Sequence, residues 1–220
     1  MALTIDNDTS LHEAGHCIVA YLAHDLFEIK FVTADLSLSK SQDINSIGGL
    51  RGNLRKEVET LTFEDHDLMI LICLAGMAAD DINHCDNKPT EQLYDNALFA
   101  QKMQSNKYSG DSQRLYPYLQ RIVPNICIKQ RPYTISCQRL LHELFSNKLI
   151  MTILLGLRTQ IDSKPKKTLT GNEISAYLDI TDLKKWRENE WKQLYDSRIK
   201  KIKKKNNIIQ RFICWRKSYL

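Results

Sequence analysis

Two histidines and a glutamate near the start of the chain have the residue types and the spacing of a metal site. Residues 12–16 read HEAGH, which follows the pattern H-E-x-x-H. On an α-helix, positions i and i+4 lie on the same face, so His12 and His16 can bind one metal ion. Neutral imidazole nitrogens suit zinc (Zn²⁺), and the carboxylate of Glu13 would then lie beside water that the metal activates. The pattern predicts hydrolysis of an amide bond with Glu13 as the general base.

Two less specific interpretations of this motif stay open. Ser10 and Glu13 have the spacing of a helix-capping box, so Glu13 could simply satisfy the start of a helix. The site could also bind zinc without catalysing a reaction, in a zinc-stabilised module that binds a peptide or a protein. A structural zinc site tends to have four protein ligands and does not require the adjacent glutamate. The sequence therefore favours a peptidase, with the non-catalytic binding module as the alternative.

The secondary structure around these residues is predicted to be mainly helical. With 8 Gly and 5 Pro in 220 residues, the chain has few of the turn residues on which sandwiches and barrels depend. Apolar residues at helical spacing predict helices over residues 10–24, 63–83, 90–103 and 134–161. The capping-box residues Thr170 and Glu173 predict one more compact helix. Alternating apolar and polar residues over 27–33 predict a strand.

The amino-acid composition indicates a globular protein, and the cysteine pattern indicates a reducing compartment. The chain is 43% apolar and 26% charged, which excludes disordered and fibrous classes. Its six cysteines show no C-x-x-C spacing, and the first ten residues contain no apolar run of signal-peptide length. The longest apolar run, Leu68 to Ala79, is shorter than the roughly 20 residues of a membrane-spanning helix. We therefore expect a cytoplasmic protein.

The C-terminal residues differ in charge from the rest of the chain. Residues 197–220 contain nine Lys or Arg and no Asp or Glu. The whole chain has a formal charge of +5, and without this segment it would have −4. Three interpretations stay open: a solvated helix that packs one face on the body, a helix that binds a membrane surface or an acidic partner, and a nucleic-acid contact, which is the least favoured. Peripheral membrane binding is thus the alternative to a purely cytoplasmic location.

Several segments together resemble the peptidase domain of FtsH-type zinc metalloproteases. The segments HEAGHCIVAYL, KFVT, GG, LAGMAADD and TLTGNEISAYL occur in that family's order. The resemblance covers about residues 10–180. It implies a mainly α, helical zincin-like metallopeptidase domain over residues 1–180, with a small β element beside the zinc site. The family's edge strand would align a peptide or an unfolded protein substrate. Residues 181–220 would form a charged, basic C-terminal helical extension.

The chain departs from this family in its overall make-up. The family's proteases join the peptidase domain to a membrane anchor and an AAA+ ATPase module, whereas nine residues precede Ser10 and no G-x-x-x-x-G-K-[ST] loop occurs. We therefore expect a stand-alone, ATP-independent metallopeptidase, and whether a separate ATPase partner supplies substrate stays open. The family's segment AGxAAEE reads AGMAADD over residues 75–81. Asp80 is expected either to orient a ligand histidine or to be an exposed acid at a helix end.

The resemblance implies an aspartate as the third zinc ligand, at the start of a later helix. Asp111 follows the turn YSG and precedes apolar residues at helical spacing, which matches that local context. Asp95 matches the family's distance from AGMAADD better but lies inside a predicted helix. We favour Asp111, because loops absorb insertions cheaply whereas ligand geometry depends on the local turn. The sequence does not fix where this helix ends, because Pro117 would lie inside it and an interior proline lowers helix stability by about 3 kcal/mol.

The remaining histidines lack a second ligand at a useful spacing. They are His24, His66, His84 and His142. His142 precedes a glutamate, as in the zinc motif, but Ser146 stands where the second histidine would be required. We expect all four histidines at surface or capping positions.

Overall fold

The computed structural model describes residues 8–35, 46–47, 49–84, 109–123 and 127–217. The side chains of residues 46, 47, 109, 127–129 and 205–217 lie outside this description, as do the predicted helix over 90–103 and the alternative ligand Asp95. The chain divides into two units, Met1–Thr181 and Asp182–Leu220.

The first unit is mainly helical with a small antiparallel sheet, which confirms the coarse fold prediction. Its helices are α1 (Thr9–Leu22), α2 (Phe63–His84), α3 (Ser109–Ile122), α4 (Cys127–Ser146), α5 (Lys148–Ser163) and α6 (Gly171–Asp179). Its strands are β1 (Phe27–Thr33), β2 (Ser46–Ile47), β3 (Leu50–Leu54) and β4 (Thr168–Thr170). The helix predicted over 63–83, the strand predicted over 27–33 and the capping box of Thr170 and Glu173 are all confirmed.

The sheet fixes the turn that precedes β3 against the end of β1. The described strands lie in the order β2-β3-β1-β4, and every pairing is antiparallel. The amide of Thr33 in β1 donates to the carbonyl of Gly49 at 3.0 Å. A side chain at Gly49 would overlap the carbonyl oxygen of Thr33, so only glycine allows this close approach of the two backbones. The turn at Gly49 is therefore held rigidly beside α1.

Helix α1 is buried on all sides and forms the centre of the unit. Every residue from Ser10 to Leu22 is buried, and the helix packs against α2, α5 and β1. Gly15 permits the closest part of the α1–α2 contact, because a Cβ there would lie 2.8 Å from both the Ala75 carbonyl oxygen and the Ala79 Cβ. The HEAGH segment therefore faces the middle of α2 at close range.

The single long helix expected over 134–161 is wrong, because the chain bends at Asn147. Helices α4 and α5 meet there at 85°. The side chain of Asn147 caps α5 by accepting hydrogen bonds from the amides of Leu149 and Ile150 at 3.0 and 3.4 Å. The buried apolar positions change side at the bend: continued at helical spacing, the buried face of α4 reaches the exposed positions 148, 152, 155 and 159, whereas α5 buries 150, 153, 154, 157 and 161. The wide apolar pattern over 134–161 therefore contains two faces, which the prediction of one helix merged.

Two further expectations are settled by α3 and α4. Helix α3 passes through Pro117 and ends at Ile122, with Pro117 on its exposed side. His142 was expected at the surface or as a cap, but it is fully buried, with its Nε2 at 3.4 Å from Asp81 Oδ2 in α2. The sequence alone does not distinguish a polar residue that is buried and paired between two helices from a polar residue that is exposed to solvent.

No single helix among the described residues has the length and hydropathy to cross a membrane. Helices α4 and α5 reach those criteria only when they are counted together as a bent pair.

The second unit is helical. It contains α7 (Leu183–Trp186), a π-helical turn (Arg187–Trp191) and α8 (Lys192–Lys217). The rings of Trp186 and Trp191 lie with centroids 6.4 Å apart, and Trp191 stacks on Tyr195 at 5.6 Å. Helix α8 holds most of the basic residues of the C-terminal segment.

Candidate metal centre

Three side chains from two distant parts of the sequence converge between α1 and α3. His12 Nε2 lies 3.1 Å from His16 Nε2 and 3.0 Å from Asp111 Oδ2, and His16 Nε2 lies 3.4 Å from the same Asp111 oxygen. All three residues are buried. Within the described part of the chain they form the one group of His, Cys, Asp and Glu side chains that could hold a metal ion.

Hydrogen bonds on the far side of each ring fix the tautomers. His16 Nδ1 lies 2.7 Å from the carbonyl oxygen of Ile72, which can only accept, so this nitrogen carries a proton and donates. His12 Nδ1 donates in the same way to the carboxylate of Asp80 at 2.9 Å. In neutral rings the two Nε2 atoms then present lone pairs to each other and to Asp111. Such partners behind ligand histidines are usual in metal sites, because they aim the opposite nitrogen at the ion.

The spacing of the three atoms fits a tetrahedral zinc ion. Ligand atoms at about 2.0–2.1 Å from zinc in tetrahedral geometry lie roughly 3.3–3.4 Å from one another. The observed separations of 3.0, 3.1 and 3.4 Å are close to this value. Gly76 of α2 leaves the space, since a Cβ there would lie 2.5 Å from Nε2 of both His12 and His16. The donor set of two imidazoles and one carboxylate thus fits zinc and leaves a fourth position for water or substrate.

The electrostatics of this cluster favour a bound positive charge. Burial lowers the pKa of His12, but hydrogen bonds with Asp111 and Asp80 outweigh it and raise that pKa well above its usual range. Burial also lowers the pKa of His16, and the charge of Asp111 reverses the effect and raises it. The pKa of the Asp111 carboxyl is lowered although burial opposes this, because His16 and His12 stabilise its charge. Protons or a cation must therefore separate the converging lone pairs.

The carboxyl group of Glu13 is buried near the three ligand residues, with one oxygen hydrogen-bonded and the other without a hydrogen-bond partner among the described residues. Its Oε1 accepts a hydrogen bond from the amide of Gly49 at 2.9 Å. Its Oε2 is buried and has no hydrogen-bond partner among the described residues. Burial raises the pKa of Glu13 to about 7, and the charges of His16 and His12 oppose that rise. A carboxyl group with a pKa near neutrality can both accept and return a proton. The capping-box interpretation places Glu13 at a helix start, whereas its carboxylate is bonded to Gly49 instead.

The structure brings most of the predicted site residues together. His12, His16 and Asp111 form the cluster, and Asp80 is 2% exposed and bonded to His12, so it is not an exposed acid. Asp95 lies outside the described residues.

Sequence reasoning missed the backbone and glycine contributions to the site. The Gly49 amide holds Glu13, the Ile72 carbonyl orients His16, and Gly76 leaves room for both rings. The adjacent glycines 48 and 49 and the small residues around Gly76 were visible in the sequence, but nothing local shows which side chain they face. The sequence matches no protein-family model and no curated protein. The geometry of these residues is therefore the basis for assigning a function.

Proposed function

We propose that the chain is a zinc-dependent, ATP-independent metallopeptidase with a zincin-like, FtsH-type peptidase domain. The observation that carries the proposal is the buried carboxyl group of Glu13, which interacts electrostatically with His12, His16 and Asp111 and whose Oε2 has no hydrogen-bond partner among the described residues. A structural zinc site is usually closed by four protein ligands, whereas catalytic sites have three and an open position. Here the described residues supply three, together with the carboxylate that a hydrolytic mechanism requires.

His12, His16 and Asp111 would hold the ion, and Asp80 and the Ile72 carbonyl would keep the histidine rings aligned. When bound, zinc would act as a Lewis acid that polarises the scissile carbonyl and activates water. The protein would contribute a rigid, buried site, since the α1–α2 contact at Gly15 and Gly76 leaves the rings little freedom to move.

Glu13 would carry the proton through the reaction. Its Oε2 would accept a proton from the attacking water, while the Gly49 amide holds Oε1 and so fixes the orientation of the carboxylate. As the carbon–nitrogen bond breaks, the same oxygen would pass that proton to the departing amine. The buried position of Glu13 excludes bulk water, which strengthens these electrostatic effects.

The substrate would be a peptide or an unfolded protein. Strand β2 lies at one edge of the described sheet, three residues before β3, and it contacts α3, which provides Asp111. An extended peptide can add to a sheet edge through backbone hydrogen bonds. Such a peptide would run beside Gly49 and Glu13. Most of the backbone of a folded protein is already hydrogen-bonded within its own structure, so flexible segments would be preferred.

The test is the Glu13→Gln substitution, which keeps size and hydrogen-bonding capacity but removes the proton acceptor. Zinc should remain bound, and cleavage of casein should fall by a factor of about 100 or more. Glu143→Gln is the matched control, because Glu143 also follows a histidine but is exposed on α4. Its activity should equal that of the parent. A parent chain that binds zinc and peptides without turning them over would instead support the non-catalytic binding module.

A further inference from the structure

Helix α8 concentrates positive charge on an exposed surface. Its 26 residues contain ten Lys or Arg and one acidic residue, Asp196. Within its described side chains, the exposed lysines are Lys192, Lys200, Lys201, Lys203 and Lys204. So dense a cluster of like charges repels itself and favours a partner of opposite charge.

Apolar residues recur along the whole of the same helix. Tyr195, Ile199 and Ile202 begin the pattern, and these three side chains are buried or half-buried. The sequence continues with Ile208, Ile209, Phe212, Ile213 and Trp215. The lysines fall mostly between these positions. At helical spacing, Tyr195, Ile199, Ile202, Ile209 and Ile213 share one side of the helix, whereas Phe212 and Trp215 fall in the same sector as Lys201 and Lys204. A helix rich in lysines, with aliphatic and aromatic residues, has the composition of helices that lie in a membrane interface.

We propose that α8 binds an anionic lipid surface. Clusters of four to eight basic residues on an amphipathic helix are typical of binding to anionic headgroups. Seven of the ten basic residues are lysines, whose compact charges on flexible stems suit a fluid array of headgroups, whereas arginine is preferred for fixed bidentate contacts with protein carboxylates or nucleic acid. Trp215 and Phe212 add residues that are favoured where headgroups meet hydrocarbon. An acidic protein would use the lysines but leave these aromatic residues without a role.

This surface is independent of the metal centre. His12, Glu13, His16 and Asp111 all belong to the first unit, and the basic residues of α8 all belong to the second. Lipid binding should therefore be the same for the parent and for Glu13→Gln, so failure of the peptidase proposal and failure of this one can be told apart.

The experiment is co-sedimentation of the full chain with vesicles of phosphatidylcholine alone or mixed with phosphatidylserine. The chain should pellet with the anionic vesicles, and added salt should release it. The test variant replaces Lys200, Lys201, Lys203 and Lys204 by glutamine, which keeps helix propensity. Its partitioning into anionic vesicles should fall about 100-fold or more. The control removes four exposed basic charges from the first unit, by glutamine at Lys30, Arg55, Lys148 and Lys166. It should bind nearly as well as the parent.

Fluorescence adds a readout that charge attraction alone would not change. Trp215 should shift to shorter emission wavelength with anionic vesicles and be quenched by brominated lipid, and the Trp215→Phe variant should lose both signals. Equal pelleting of the two quadruple variants would overturn the proposal. So would an absence of vesicle binding, including the case in which the chain binds polyglutamate or nucleic acid instead.

Discussion

At the scale of single residues, Gly76 leaves the space in which the two histidine nitrogens meet. A methyl group there would lie 2.5 Å from both Nε2 atoms, which is far inside van der Waals contact. Both rings are held from behind, by Asp80 and by the Ile72 carbonyl, so they cannot rotate away without losing a buried hydrogen bond. The geometry of the centre is therefore sensitive to a position that is not itself a ligand.

Gly76→Ala should lower zinc affinity by at least about tenfold, although alanine improves helix propensity by about 1 kcal/mol. Competitive titration with a chromophoric zinc chelator measures the change. Gly110→Ala is the matched control, since a Cβ at Gly110 in α3 meets no heavy atom of the described chain within 4 Å. That variant should bind zinc like the parent. Equal affinities for both variants would mean that the ion is not held between His12 and His16.

At the scale of helices and strands, the bend at Asn147 separates α4 from α5, where one helix was predicted over 134–161. Asn147→Ala removes the side-chain acceptor for the first amides of α5 and should lower the free energy of unfolding by about 1 kcal/mol. Urea denaturation measures this. Gln160→Ala, at an exposed position in the same helix, should change stability by no more than about 0.5 kcal/mol. An Asn147→Ala variant as stable as the parent would show that packing alone fixes the bend.

The local secondary structure of this fold could be predicted from the sequence, whereas the contacts between distant residues could not. The helical spacing of His12 and His16 and the local context of Asp111 could be read from the sequence, because they depend on neighbours in the chain. The bond between Glu13 and the Gly49 amide joins residues 36 positions apart and depends on how β1 and β3 pair. Likewise, the burial of His142 follows from its pairing with Asp81 across α2 and α4. Periodicity contains no information on such contacts.

At the scale of the whole molecule, the proposed ion would link three helices. His12 and His16 belong to α1, Asp111 lies in the first turn of α3, and Asp80 and Ile72 of α2 support the histidines. An ion bound only by the folded chain stabilises it by mass action, by about 2.7 kcal/mol when free zinc is 100-fold above the dissociation constant. The metal would then contribute to folding as well as to catalysis.

Removing zinc with a chelator should therefore lower Tm by roughly 5–10 °C for a chain of this size. Adding zinc back should restore it. Differential scanning calorimetry makes the comparison, with His16→Ala as the control that should melt at the same temperature with and without zinc. A parent chain whose Tm ignores both chelator and zinc would contradict the proposed link between metal binding and stability.

Anomalous diffraction would show whether His12, His16 and Asp111 bind one zinc ion. Crystals of the tag-free chain would be measured on both sides of the zinc absorption edge. We expect one strong anomalous peak at about 2.0–2.2 Å from His12 Nε2, His16 Nε2 and Asp111 Oδ2. A peak bound to Asp95 in place of Asp111 would reassign the third ligand. The absence of a peak at the two histidines in zinc-soaked crystals would contradict the account.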